Sequence, residues 1–204
     1  VLIHRHDDGT DDPDRWRAFV ADQGFGHLVA GGRDRDLPIV VPTQFLLDGD
    51  RVLLHLAAPN PIFGALLENP HALLSIAGDW AYIPGRWKTV GDEDPRRGIP
   101  TTYYAAVQLA GPVTVHRDPD AIADLLRRQL ADLDDPSGLL DPTEHAARLR
   151  TIRGVELSIE DVRAKFKYGG NVDEEHRRAV ADRLRERAGP GDLAAADRIP
   201  FEQP

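Results

Sequence analysis

Hydrophobic and polar positions along the 204-residue chain change period several times, and the changes predict short helices set among more numerous strands. Asp12 followed by Pro13 offers a carboxylate cap and a preset first turn, and Trp16, Phe19 and Val20 then share one helical face until Gly24. Phe25 to Ala30 reads as a strand, Gly31, Gly32, Arg33 and Asp34 as a turn, and Leu37 to Leu46 as an extended run interrupted by Pro42. Asp48-Gly49-Asp50 punctuates a hairpin into a strand from Arg51 to Ala57. Asn60-Pro61 repeats the cap-and-proline device for a short helix whose expected buried face is Ile62, Phe63, Leu66 and Leu67, and Pro70 ends it.

His71 to Ala77 and Trp80 to Ile83 read as successive strands around a Gly78-Asp79 turn, and Pro84 to Pro100 as one long loop. Thr101 to Ala110 has strong strand composition, with a bend at Gly111-Pro112 before Val113 to His116. Asp118-Pro119 opens a helix carrying Ile122, Leu125, Leu126, Leu130 and Leu133 at helical spacing; Asp141-Pro142 opens another that is expected to end near Gly154. Val155 to Ile159 is a further strand, and Asp173 to Ala188 a charged, peripheral helix. The expected organisation is a single domain over 1–188 with helical additions and a C-terminal tail over 189–204. About seven strands with unevenly placed helices do not fit a doubly wound α/β sheet. The expected fold class is therefore mainly β with peripheral α-helices, built as a small, mainly antiparallel barrel or half-barrel.

A formal charge of -9 argues against autonomous nucleic-acid binding, since no basic run overrides the global sign. No apolar run reaches the roughly 18 residues needed to cross a bilayer, and no secretion signal is recognisable, so the expected location is cytoplasmic. There is no cysteine, and the histidines show no metal-binding spacing; no metal site is expected. The dinucleotide, phosphate-loop, nucleophile-elbow and zinc-helix motifs are all missing, which leaves the catalytic residues unassigned. Of the 25 basic residues only Lys88, Lys165 and Lys167 are lysine. These fall into a cluster with Tyr82 and Trp87 before the long loop, Thr101, Thr102, Tyr103 and Tyr104 after it, and Phe166 later. Hydroxyls and ammonium groups suit a phosphate and aromatic rings suit a planar group, yet the same residues are also ordinary for strands and loop anchors. In an extended segment Lys165 and Lys167 face one side and Phe166 the other.

Several segments resemble the PaiB-like FMN-binding negative transcriptional regulator family, within the wider FMN-binding split-barrel group that includes pyridoxamine phosphate oxidases. They are G-H-L-V at 26–29, L-L-H-L-A-A-P-N-P at 53–61, A-Y-I-P-G-R-W at 81–87, P-T-T-Y-Y-A-A-V at 100–107, and G-V-E-L-S-I followed by A-K-F-K-Y-G-G-N within 154–171. The resemblance implies an FMN-binding split barrel that forms a homodimer and holds FMN near the subunit interface. By position it implies cofactor contacts from His55, Ala57, Asn60, Trp87, Lys88, Thr101, Thr102, Tyr103, Tyr104, Lys165, Lys167 and Asn171. The chain departs from the family pattern at Val41, at Pro84-Gly85-Arg86, at Tyr103 in an asparagine-like position, and at Gly169-Gly170 in place of Ser-Gln. Two functions follow from the resemblance: a flavin-dependent oxidoreductase acting on a small molecule, or a PaiB-like regulatory or ligand-binding module without redox turnover.

Overall fold

A computed structural model describes residues 12–33, 35–133 and 138–201. Eight strands form one sheet: β1 (Phe25–Ala30), β2 (Ile39–Gln44), β3 (Leu46–Asp48), β4 (Arg51–Ala57), β5 (His71–Ile83), β6 (Thr101–His116), β7 (Ile152–Ser158) and β8 (Asp161–Lys167). The helices are α1 (Pro13–Gln23), α2 (Ile62–Glu68), α3 (Pro119–Leu133), α4 (Ala146–Leu149), α5 (Glu174–Arg187) and α6 (Asp192–Asp197). Strand order is β2-β1-β5-β6-β7-β4-β3, with β8 also on β6. The β1–β2, β1–β5, β3–β4, β4–β7 and β6–β7 pairings are antiparallel. None of the described helices is long and apolar enough to cross a membrane.

The expectation of a mainly β split barrel with peripheral helices is overturned in two respects. Helices and strands take up comparable shares of the described residues, so the class is mixed α/β, and the sheet is open. Only Phe45 separates β2 from β3, yet these strands stand at opposite ends of the strand order. The Phe45 N–H donates to the Gly24 carbonyl at 3.0 Å and its side chain is buried, so the chain leaves the β2 ladder at this residue instead of carrying it on into β3. Hairpin signals predict neighbours; they do not specify whether the two end strands meet.

The chain divides into two compact units. The larger comprises 17–76 and 108–162 and holds β1 to β4, β7, α2 to α4 and parts of β5 and β6. Its core includes Leu28, Val52, Leu54, Ile62, Leu74, Ile76, Leu109, Ile122 and Leu157, each fully buried, and each such side chain stabilises by roughly 1.5–3 kcal/mol. The α2 face differs from expectation. Ile62, Ala65 and Leu66 are buried, whereas Leu67 is 81 % exposed, because a seven-residue helix turns only a narrow stripe inward. The helix opened by Asp141-Pro142 stops at Leu149, and Gly154 belongs to β7 opposite His55.

The smaller unit comprises 12–16, 77–107 and 163–201 among the described residues. Gly78-Asp79 does not turn the chain back: β5 continues through it, with Asp79 at φ 50°. That strained residue is fixed from two sides, by the Tyr168 hydroxyl donating to its carbonyl at 2.9 Å and by Arg198 Nε donating to its carboxylate at 2.9 Å. The long loop contains 3-10 turns at Gly85–Lys88 and Pro95–Arg97, and its base closes where the Gly85 and Gly98 backbones meet with no room for a Cβ on either. Asp173 caps α5 by accepting from the His176 N–H at 3.0 Å. After Ala188, α6 buries Ala195 and Ala196, and Asp192 is held by Arg187 Nε at 2.6 Å and by the Gly189 N–H at 2.8 Å.

Candidate functional site

The residues expected to carry chemistry fall in both units. In the smaller one, β8 buries Ala164, Lys165 and Phe166 in succession, Lys165 at 5 % exposed, and leaves Lys167 half-buried. The Arg15 guanidinium lies 4.2 Å from the centroid of the Phe166 ring. Lys167 Nζ donates to Thr101 Oγ1 at 2.8 Å and stands 5.9 Å from the Tyr104 ring centroid. No carboxylate pairs with this ammonium among the described residues. Of its three donors one is used by Thr101, and because the threonine oxygen accepts there, its own O–H stays available to donate. The first strand turn of β6 and the last of β8 thus present a cation, a hydroxyl and an aromatic ring together. Such a set suits a phosphate beside a planar group.

The neighbouring predicted residues have other partners. Tyr103 is buried and meets Tyr168 edge-on, with ring centroids 6.0 Å apart. Thr102 is half-buried on β6. Trp87 does not offer a bare ring: the Arg187 guanidinium covers it at 4.6 Å, and its carbonyl accepts from Arg183 Nη1 at 2.6 Å. Lys88 and Asn171 line a cavity of about 710 Å³, but its walls carry Asp92, Glu93, Asp94 and Asp173 against Lys88 and Arg97. Carboxylates outnumber permanent cations there, which disfavours an anion. His176 sits between two of them, its Nδ1–H donating to Asp173 at 2.8 Å and its Nε2–H to Glu93 at 3.1 Å when the ring is charged. These bonds, Asp173 first, raise the imidazole above its usual range, and His176 in turn holds both carboxyls below theirs.

His55, Ala57 and Asn60 belong to the larger unit. Asn60 Oδ1 accepts from the Ile62 N–H at 3.0 Å and so opens α2; Ala57 ends β4 with its side chain exposed. His55 Nδ1 lies 2.8 Å from Gln129 Oε1, a buried residue of α3. Sequence reasoning missed Gln129, although a signal was present: it occupies the same apolar stripe as Ile122, Leu125 and Leu126. A polar side chain inside such a stripe marks a buried group that needs a partner. The pairing of His176 with Glu93 left no such signal, because 83 residues separate them.

The described residues define an open, mixed α/β sheet domain. More particularly, residues 4–161 match the family model described as "Putative FMN-binding domain", and the chain belongs to this family of FMN-binding domains. It is 24 % identical over 180 residues to the protease synthase and sporulation protein PAI 2 of Bacillus subtilis (strain 168), with 84 % of each chain covered. Among solved structures it is similar to the flavocytochrome Anf3 from Azotobacter vinelandii, at TM-score 0.63 and 23 % identity, covering 82 % of this chain and 73 % of that one. It is similar also to the FAD and heme binding protein from Mycobacterium smegmatis, at TM-score 0.62 and 18 % identity, covering 82 % and 77 %. These structural likenesses speak to the fold.

Proposed function

We propose that the chain binds FMN, with Lys167 and Thr101 taking the phosphate and Tyr104 flanking the group it carries. The observation that carries this reading is the Lys167–Thr101 pair, a half-buried cation left without a carboxylate in a chain of net charge -9. Thr101 lies within the segment that matches the family, and Lys167 lies past its end, at the last position of β8. When bound, the flavin supplies electron or hydride transfer. The protein supplies the anion site, and the arginine-covered Trp87 serves as a loop anchor to α5 and not as a stacking platform.

Titration of flavin fluorescence with FMN and with riboflavin tests the assignment. Loss of a charge-assisted hydrogen bond in Lys167→Ala should weaken FMN about 10- to 100-fold and riboflavin far less, with the difference shrinking as salt rises. Equal losses for both flavins would remove the phosphate from this pair. A PaiB-like ligand-binding regulator and a flavoenzyme share this site. Bleaching and recovery of bound-flavin absorbance with a reduced nicotinamide and an acceptor separates them, since only the enzyme cycles.

A further inference from the structure

The larger unit contains a cavity of about 380 Å³ between α3, α4 and residues 139–145, and its lining does not include Lys167, Thr101 or Tyr104. Leu126, Leu130, Leu140 and Ile152 supply its apolar walls, and His55 and Arg148 its polar side. Among the described residues no carboxylate lines it. The wall is tied down: Arg127 on α3 grips Asp141 through Nε at 2.7 Å and Nη2 at 2.9 Å, which holds the Leu139–Leu140 segment against the helix.

The polar side has a defined donor and acceptor pattern. Gln129 Nε2 donates to the Leu53 carbonyl at 3.3 Å, and a carbonyl can only accept, so the amide is oriented with Oε1 toward His55. Oε1 in turn can only accept, which requires a proton on His55 Nδ1. Neutral His55 is therefore held as the Nδ1–H tautomer, with the Nε2 lone pair as its remaining polar atom. Arg148 forms no ion pair among the described residues, and its carbonyl is satisfied by the Thr151 N–H and hydroxyl. Among the described residues the cavity thus offers the His55 Nε2 acceptor, the Arg148 cation and a leucine-rich interior, with the His145 imidazole and the Thr151 hydroxyl also in its lining.

We infer that this cavity binds a small apolar carboxylic acid, its hydrocarbon body among the leucines and its acid group toward His55 and Arg148. One shared proton bridges His55 Nε2 and one acid oxygen, and the second oxygen matches the guanidinium. The volume lies at the low end for ligand pockets, which selects a short-chain or single-ring acid over a long lipid.

Calorimetric titration of the full chain with sodium octanoate tests this. Saturable binding is expected, with octylamine at least about tenfold weaker and Arg148→Ala losing about tenfold in octanoate affinity. Arg148 is exposed, so its removal leaves the fold intact, and Lys167→Ala should leave octanoate binding unchanged whatever happens to FMN. No saturable binding, equal affinity for octylamine, or an Arg148→Ala protein that binds octanoate as tightly as the wild type overturns the proposal. Displacement of octanoate by FMN in the wild type and the Lys167→Ala protein alike also overturns it, by assigning the cavity to the flavin.

Discussion

Tyr103 occupies the space that a side chain at position 169 would enter, and the two positions can be tested as a pair. Gly169 has φ +79°, and a Cβ added there runs into Tyr103 Oη and lies 3.1 Å from the ring carbon that bears it. Tyr103 is only 2 % exposed and sits edge-on against Tyr168, so it has little freedom to retreat. The tyrosine at 103 therefore requires the missing side chain at 169. Gly169→Ala carries two costs: about 1–2 kcal/mol for a non-glycine residue in the left-handed region, and about 1–3 kcal/mol for forcing a methyl into packed atoms. The sum, about 2–5 kcal/mol, corresponds to roughly 4–20 °C in Tm for a chain of this size. Tyr103→Phe removes the nearest atom, so Gly169→Ala made in that background should lose most of the steric part and keep the backbone part. Urea denaturation of the wild type, both single variants and the double variant isolates the coupling, expected at about 1–3 kcal/mol. A coupling below about 0.5 kcal/mol, or a Gly169→Ala protein as stable as the wild type, refutes the steric exclusion.

Three further outcomes follow from single contacts. Gly111→Ala places a Cβ 1.9 Å from the Ser158 carbonyl oxygen, which is backbone and cannot swing aside; thermal unfolding should show a loss of about 1–3 kcal/mol, and an unchanged Tm contradicts the close approach. Asn60→Ala removes the acceptor for the Ile62 N–H and should cost about 0.5–2 kcal/mol, with faster hydrogen exchange at the start of α2; unaltered exchange there would reject Asn60 as the cap. The bonds from His176 to Asp173 and Glu93 raise its pKa above the usual 6.5. Their contribution is therefore complete below about pH 6.5 and is lost as pH rises through the raised value. Hydrogen exchange in the 88–98 loop should quicken over that rise in the wild type and show no such step in His176→Gln; the same step in both proteins would clear His176 of the effect.

Local signals in the chain were strong wherever a cap, a proline or a two-residue period acts over a few positions. Phe25 to Ala30, Arg51 to Ala57 and the Asp118-Pro119 and Asp173 helix starts all stand where those signals put them. The failures share a cause. Gly78-Asp79 has turn composition, but what bends β5 without breaking it is Tyr168 and Arg198, residues about ninety and 119 positions away. The open sheet likewise depends on where the Phe45 N–H finds an acceptor, and Gly24 is a choice that tertiary packing makes.

The candidate site divides along the same line. Lys167 stood out in the sequence as one of three lysines, and the structure adds that Thr101 meets its ammonium, with no carboxylate on it among the described residues. Trp87 read as a ring ready to stack, since nothing near it in sequence discloses that an arginine one hundred positions later covers it. His55 shows the opposite case. Its residue type alone is compatible with core packing, catalysis or binding, and what resolves it is Gln129, the one polar member of the buried stripe of α3. A glutamine there is tolerated only if both ends of its amide are satisfied, and satisfying them fixes which nitrogen of His55 carries the proton. Replacing Gln129 with leucine would keep the stripe apolar and the helix seated, yet free the imidazole to take either tautomer. The specificity of the His55 cavity therefore resides in a residue that does not line it.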